Sequence, residues 1–285
     1  MMNFHQTVSR GDGVSSRSHE IRGWVPQGRS VAQAWRVARA ALSYAAFGMA
    51  ALGLAATVVP AIHLFTRDRG RAERRVQALL HRAFRTYLTA LEWLGIARFR
   101  CSRPSLLAEP GILVVANHPT RLDAVVLLAF MPQADCIVKQ EYLDNVFLRH
   151  VARAAGYIPH TGGRAVVETC TERLVRGRSL VVFPEGTRSP DGGLAPVQRG
   201  AAHIALQAGC DLLPVTIRCE PPTLKKGQPW WDVPETAFEI SLEVGSPIRT
   251  KEVVDDEPTR GRAARVLTRA IREHFEQRLG HVRES

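Results

Sequence analysis

The feature that most constrains the fold is an alternation of short apolar runs with longer amphipathic stretches. Four runs have the length and composition of buried strands: Ile112–Ala116, Cys136–Val138, Leu180–Phe183 and Leu212–Ile217. The stretches around them have helical lengths: 123–131, 144–155, 165–177 and 199–209. Strands that alternate with helices predict an α/β fold, with a mixed central sheet, parallel strands at its centre and helices on its faces.

Three further segments complete the predicted domain. Ala237–Val244 alternates apolar and polar residues and is predicted to be a strand on the edge side of the sheet. Arg71–Leu94 is predicted to be an amphipathic helix that either packs on the core or lies on an anionic membrane surface. Arg260–Leu279 is predicted to be a closing helix. No repeat or second domain boundary interrupts residues 67–285.

The N-terminal part predicts a tail followed by a membrane-embedded helix. Residues 1–35 are assigned to a disordered polar tail and residues 36–66 to the helix. The uncharged stretch Ala40–Thr66 exceeds the roughly 20 residues that a helix needs to cross a bilayer. Its many Ala and Gly residues, with Pro60 and His63 near its end, leave a single span and a half-embedded or buried helix as alternatives.

Charge is distributed unevenly around this stretch. Seven arginines lie within the 20 residues after it and four within the 20 residues before it. A bias of this kind places the following domain on the cytoplasmic side of a membrane. The formal net charge is +11, which favours phosphate-bearing partners such as nucleic acid, anionic membrane or a phosphorylated substrate.

The cysteines argue for a reduced protein. Five are scattered along the chain without a C-x-x-C pair. Their odd number and spacing predict free thiols and no zinc site.

One histidine lies just beyond the end of a predicted buried strand, where α/β sheets bind ligands. His118 lies two residues after the end of the predicted strand 112–116, and Asp123 comes five residues later. A carboxylate at this distance can orient the imidazole as a general base. About one such spacing is expected by chance in a chain of this composition, so the pair is weak evidence alone.

A second stretch, "VVFPEGTRS" at 181–189, adds groups suited to an anion. Gly186 permits a tight turn, Thr187 offers a hydroxyl, and Arg188 offers a fork that matches phosphate. Glu185 can fix the loop or hold Arg188 in position. The alternative is a solvated turn with an incidental ion pair.

Together, "NHPTRLD" at 117–123 and "FPEGTR" at 183–188 resemble the glycerolipid acyltransferase family, typified by the 1-acyl-sn-glycerol-3-phosphate acyltransferases. "QRGAAHIAL" at 198–206 and "LLPVTI" at 212–217 resemble later blocks of that family. The resemblance covers about residues 95–220, and it makes residues 67–285 an expected acyltransferase domain.

The resemblance implies His118 as general base and Asp123 as its orienting carboxylate. It implies an acceptor site formed by Asn117, Glu185, Gly186, Thr187 and Arg188. The expected donor is acyl-CoA or acyl-carrier protein, and the expected acceptor is a lysophospholipid such as 1-acylglycerol 3-phosphate. An anionic membrane, and no nucleic acid, is the expected further partner, with no cofactor or metal. A bacterial inner membrane is the expected location.

One block departs from the family pattern. "GYIPHTGGR" at 156–164 lacks the usual Asp-Arg pair, and Arg164 lies two positions away from the expected arginine. Arg164 is therefore a candidate acceptor-binding residue only if it takes the place of that expected arginine. The departure keeps open the same chemistry on another acceptor, such as an aryl-polyene lipid or an ornithine lipid. A non-catalytic basic protein that binds lipid or nucleic acid is the further alternative.

Overall fold

The computed structural model describes residues 31–140, 144, 149–190, 193–255 and 257–280. Its helices are α1 Val31–Ala56, α2 Val58–Leu64, α3 Arg69–Trp93, α4 Pro104–Leu107, α5 Asp123–Phe130, α6 Arg149–Ala154, α7 Gly163–Val175, α8 Gly200–Ala208, α9 Thr250–Val254 and α10 Arg260–Gly280. Its strands are β1 Ala97–Cys101, β2 Leu113–Ala116, β3 Ala134–Val138, β4 Ile158–Pro159, β5 Ser179–Val182, β6 Leu212–Glu220 and β7 Phe238–Val244.

The strands form one sheet in the order β1-β7-β6-β2-β5-β3-β4. Every neighbouring pair is parallel except β6 and β7, which are antiparallel. All residues of the central strands β2 and β5 are buried, as expected for parallel strands covered on both faces. The predicted mixed α/β sheet with parallel strands at its centre is confirmed.

Side chains that alternate along the central strands divide the core between the two faces. Val114 and Val181 point into a cluster with residues of α3 and α5, such as Leu91 and Leu127. Their neighbours in sequence point to the other face, into a cluster with α7, α8 and α10 that includes Val115, Leu180, Cys170, Ile204 and Phe275. Because successive side chains of a strand point to opposite faces, the sheet is covered by helices on both faces and the domain has three layers.

The prediction that 237–244 lies at the edge of the sheet is wrong. β7 pairs with β6 on one side and with β1 on the other, and β1 is the edge strand. The alternating burial along β7 shows that one face of the strand is only partly covered. This pattern does not depend on whether the strand has one neighbour in the sheet or two. β1 itself was not predicted, because its sequence ARFRC is short and carries two arginines.

The N-terminal helix begins earlier than predicted. Residues 31–35, assigned above to the tail, belong to α1, because Val31–Trp35 continue the helix without a breaking residue. Residues 1–30 lie outside the described part of the chain. Together α1 and α2 are long and apolar enough to cross a membrane, and only 6% of their most apolar window is buried. The helix is therefore a candidate membrane span.

The part of α1 up to Phe47 is docked on the domain. Arg39 donates a hydrogen bond to the carbonyl of Leu94 at 2.7 Å, and the Phe47 ring lies 4.6 Å from the Tyr87 ring. Further along, Met49 is 72% exposed. The fold thus fixes this part of the helix and leaves large apolar side chains beyond it, such as Met49 and Leu52, exposed.

Helix α3 packs on the core, which was one of its two predicted alternatives. Val76, Leu80, Leu88 and Leu91 are buried against the domain. The arginines of this helix that follow Gly70 lie on its exposed face: Arg71, Arg74, Arg75, Arg82 and Arg85. Contact of that face with a membrane stays a prediction.

All five cysteines are free, as their spacing predicts. Burial raises the pKa of the Cys136 thiol and of the Cys170 thiol from 9.0 to about 12. Both thiols therefore remain neutral at physiological pH and act as small apolar groups of the core.

Candidate active site

Two adjacent parallel strands bring the two motifs to the same edge of the sheet. β2 and β5 pair in register, with Leu113 opposite Leu180 and Val115 opposite Val182. Because both strands run in the same direction and end together, the segments that follow them leave the sheet side by side. Open α/β sheets bind ligands at this carboxyl edge.

Asn117 joins the first motif to β6. Its side-chain amide donates to the carbonyl of Ile217 at 2.9 Å, and its side-chain oxygen accepts from the Ile217 N–H at 2.7 Å. The side chain is buried and continues the pairing of β2 with β6 beyond the last backbone pair. Asn117 therefore fixes the start of the loop that carries His118.

His118 and Asp123 form a hydrogen-bonded pair. The imidazole Nδ1 lies 2.7 Å from Oδ2 of Asp123. The Asp123 side chain is fully buried, whereas 22% of the His118 side chain is exposed. Since an ionised carboxylate only accepts hydrogen bonds, the neutral imidazole carries its proton on Nδ1, and Nε2 is left able to accept a proton.

The Asp123 carboxylate is held in place by Thr120. The Thr120 N–H donates to Oδ2 at 2.7 Å, and the Thr120 hydroxyl donates to Oδ1 at 2.5 Å. Asp123 is also the first residue of α5, where the helix dipole favours negative charge. Thr120 was not among the predicted site residues, although its spacing from Asp123 is that of a capping box.

Phe183 packs on the imidazole. Its ring centroid lies 4.3 Å from that of His118, with 24° between the ring planes. The phenyl ring restricts rotation of the imidazole about its side-chain bonds while Asp123 fixes Nδ1. Phe183 opens the quoted FPEGTR stretch, but nothing in the sequence alone indicates this stacking.

Glu185 connects the two motifs from inside the protein. One carboxylate oxygen accepts from the His118 N–H at 2.9 Å and from the Ser189 hydroxyl at 2.7 Å, and the other accepts from the Ala195 N–H at 2.6 Å. The residue is 4% exposed. Ser189 adds a backbone hydrogen bond from its N–H to the carbonyl of His118 at 2.8 Å. Glu185 thus fixes the loop, as one of its two predicted roles requires.

Thr187 and Arg188 lie on the outer part of the same loop. Gly186 turns the chain with a φ of 64°, a conformation that favours glycine. Arg188 then donates to the carbonyl of Lys225 at 3.0 Å, and Lys226 donates to the Thr187 hydroxyl at 3.3 Å. Arg188 forms no ion pair with Glu185 within the described residues, so the alternative role of Glu185, holding Arg188, has no support in the geometry.

Arg164 is the one predicted site residue that no contact joins to the rest. It lies at the start of α7, after β4, which is separated from β5 by β3. Two strand spacings correspond to about 10 Å. The Arg164 guanidinium pairs with Glu168 of the same helix at 2.6 Å and is highly exposed.

An apolar groove approaches the site from the side of α1. It lies beside Leu122 and Leu224 and is lined further by Tyr44, Tyr87, Trp230 and Phe238. Its free volume is about 20 Å³, room for about one water molecule. A much larger open cavity, about 490 Å³, lies beside His81, Arg82 and Pro132. Pro132 precedes β3, so that cavity opens at the opposite edge of the sheet from His118.

Comparisons with known proteins support the resemblance to acyltransferases. Residues 98–218 match the family model described as Acyltransferase. The chain is 33% identical over 112 residues to the 1-acyl-sn-glycerol-3-phosphate acyltransferase of Helicobacter pylori, a match covering 37% of this chain and 47% of the relative. It is 31% identical over 132 residues to the 1-acyl-sn-glycerol-3-phosphate acyltransferase beta of Homo sapiens, a match covering 41% of this chain and 45% of the relative.

A solved structure extends the likeness beyond the motifs. The crystal structure of the 1-acyl-sn-glycerophosphate acyltransferase PlsC from Thermotoga maritima superposes with a TM-score of 0.60 at 25% identity, covering 84% of this chain and 97% of that chain. The curated relatives are matched over a third to a half of their length. The chain resembles the glycerolipid acyltransferase family in its motifs and in its fold.

Proposed function

We propose that this chain is an O-acyltransferase that moves a fatty acyl group from a thioester to a hydroxyl of a lysophospholipid. The observation that carries the proposal is the pair of His118 and Asp123, joined at 2.7 Å at the carboxyl edge of the sheet beside the loop of Thr187 and Arg188. A base oriented by a buried carboxylate, next to a cationic loop, suits attack by the hydroxyl of a phosphorylated acceptor.

His118 supplies the proton transfers. Nε2 removes the proton of the acceptor hydroxyl as its oxygen attacks the thioester carbonyl carbon. The carbon–sulfur bond then breaks, and the sulfur leaves as a thiol after it takes the proton from the imidazolium. Either acyl-CoA or acyl-carrier protein can donate the acyl group, because both are thioesters.

Asp123 acts through His118. Its carboxylate keeps the Nδ1 proton in place and stabilises the imidazolium that forms during the attack. Thr120 fixes the carboxylate, Asn117 fixes the chain directly before His118, and Glu185 accepts from the backbone N–H of His118. In this proposal, Asn117 and Glu185 position the base, while Thr187 and Arg188 contact the acceptor.

The acceptor that fits best is 1-acylglycerol 3-phosphate. The Arg188 guanidinium is half-buried and donates one hydrogen bond to a backbone carbonyl, so its other N–H groups can donate to phosphate oxygens. Arg164 remains a candidate contact with the acceptor, but it would first have to break its ion pair with Glu168. The missing Asp-Arg pair also supports a second candidate, the same chemistry on an aryl-polyene or ornithine lipid.

Membrane association is part of the proposal. The exposed apolar side chains of α1 and α2, and the arginines of α3, would hold the domain at an anionic membrane. The bacterial inner membrane, with the domain on the cytoplasmic side, remains the expected location.

The test is acyl transfer by the purified full chain. Labelled acyl-CoA and acyl-carrier protein are each offered with 1-acylglycerol 3-phosphate, other lysophospholipids and lyso-ornithine lipid. We expect transfer to 1-acylglycerol 3-phosphate and a loss of about 10²–10⁴-fold in His118→Ala, with an unchanged melting temperature. Transfer by His118→Ala at the wild-type rate would contradict the proposal.

Binding without catalysis makes a different prediction. A basic protein directed to nucleic acid would shift DNA or RNA with a steep dependence on salt and would transfer no acyl group. That alternative gives no reason for the hydrogen-bonded pair of His118 and Asp123.

A further inference from the structure

The loop between β6 and β7 is tied to both motifs. The carbonyl of Leu224 accepts from the Arg121 N–H, in the segment after His118, at 3.2 Å. One residue later, the carbonyl of Lys225 accepts from Arg188 at 3.0 Å. Because these two bonds anchor consecutive residues, the position of the next residue, Lys226, is fixed relative to the site.

Lys226 places a second positive charge at the Thr187–Arg188 loop. Its ammonium lies 3.3 Å from the Thr187 hydroxyl, and its side chain is exposed. Within the described part of the chain, neither Lys226 nor Arg188 has a carboxylate at salt-bridge distance. Two cations on adjacent loops, one beside the Thr187 hydroxyl and one on the residue after it, form without an acidic partner an arrangement that an anion stabilises.

The number of charges indicates which anion fits. A phosphate monoester carries about −1.5 to −2 charges at pH 7, and it has three oxygens that accept hydrogen bonds. Arg188, Lys226 and the Thr187 hydroxyl supply two positive charges and donors for these oxygens. A phosphodiester carries one negative charge and would leave one of these cations uncompensated, and an uncharged lipid would leave both uncompensated.

We propose that Lys226 is a specificity-determining residue, which completes with Arg188 a two-cation site for an acceptor bearing a phosphate monoester. Lys226 then supplies a second cation at this loop in a chain whose "GYIPHTGGR" block lacks the Asp-Arg pair. The inference rests on the proposed function and narrows it, because it favours 1-acylglycerol 3-phosphate over the aryl-polyene and ornithine-lipid alternatives.

The experiment compares Lys226→Met with Lys251→Met. Lys251 is an exposed lysine of α9, so both changes remove one charge from the surface. Binding to the full chain without a donor is measured calorimetrically with 1-hexanoylglycerol 3-phosphate, and with 1-hexanoylglycerol as the phosphate-free probe. Initial rates of acyl transfer are measured on the same proteins with long-chain 1-acylglycerol 3-phosphate.

We expect Lys226→Met to weaken binding of the phosphate probe about tenfold and to raise the KM for the acceptor by a similar factor. The donor KM, the melting temperature and binding of the phosphate-free probe should not change. Lys226→Arg should retain most of the affinity, and Lys251→Met should behave as wild type.

Two results would overturn the inference: equal binding of both probes by wild type, or unchanged phosphate binding in Lys226→Met. If the phosphate probe binds as expected but wild type transfers no acyl group, the two-cation site is supported and the proposed acyltransferase function fails. The two ideas are therefore tested separately.

Discussion

Replacing Glu185 by Gln removes one charge from the bond network that joins the two motifs and changes no volume. The Glu185 carboxylate accepts three hydrogen bonds, from the His118 N–H, the Ser189 hydroxyl and the Ala195 N–H. A Gln side chain has one oxygen and one NH₂ group. Its oxygen can keep the bonds to His118 and Ser189, but its NH₂ group then faces the Ala195 N–H.

The cost follows from these contacts. The Ala195 N–H loses its acceptor inside the protein, and an unsatisfied buried donor costs about 1–3 kcal/mol. The other two bonds change from charge-assisted to neutral and lose about half their strength. We therefore expect the free energy of unfolding to fall by about 3 kcal/mol, which for a domain of this size lowers Tm by about 6–12 °C.

Activity should fall through the position of His118. A displacement of about 1 Å in a catalytic group can cost on the order of 100-fold in rate. We expect kcat to drop by about 10- to 100-fold in Glu185→Gln, while the KM for the acceptor changes little. Thermal unfolding and steady-state rates would be measured on the same preparation, with Glu276→Gln, an exposed carboxylate of α10, as the matched control.

A different outcome would show that the reasoning about Glu185 is wrong. If Glu185 contacted the acceptor directly, Glu185→Gln would raise the acceptor KM and leave Tm at the wild-type value. A Tm equal to that of wild type would refute the positioning role even if activity fell.

Three further predictions concern other parts of the molecule. Arg188→Lys should lower kcat/KM for the acceptor by roughly 10- to 150-fold while the donor KM stays the same. The reason is that an ammonium cannot replace a bidentate guanidinium contact. Equal losses for both substrates would contradict this prediction. The full chain should remain in the membrane pellet after alkaline carbonate, and its recovery in the soluble fraction would rule out integral insertion. Burial raises the pKa of Cys136 and Cys170 from 9.0 to about 12, so the stability gained by keeping these thiols neutral is complete below pH 9 and is lost as pH rises towards 12. The urea midpoint should fall over that window, and iodoacetamide at pH 8 should modify these two thiols only after unfolding.

The sequence by itself determined the elements that depend on local pattern. The apolar runs that became β2, β3, β5 and β6 were recognisable because strands buried on both faces must be almost wholly apolar. The pairing of His118 with Asp123 was also predictable, because they lie five positions apart and their contact needs no distant part of the chain.

Tertiary structure alone decided which distant segments meet. Sequence spacing carries no information on strand order, so the adjacency of β2 and β5, and the three bonds of Glu185, became visible only in the folded sheet. The same reason explains the wrong edge position of β7, whose second neighbour β1 lies about 140 residues earlier in the chain. Lys226 reaches Thr187 across 39 residues because the loop after β6 folds back over the carboxyl edge, and hydrogen bonds to backbone carbonyls, which any sequence can supply, hold it there.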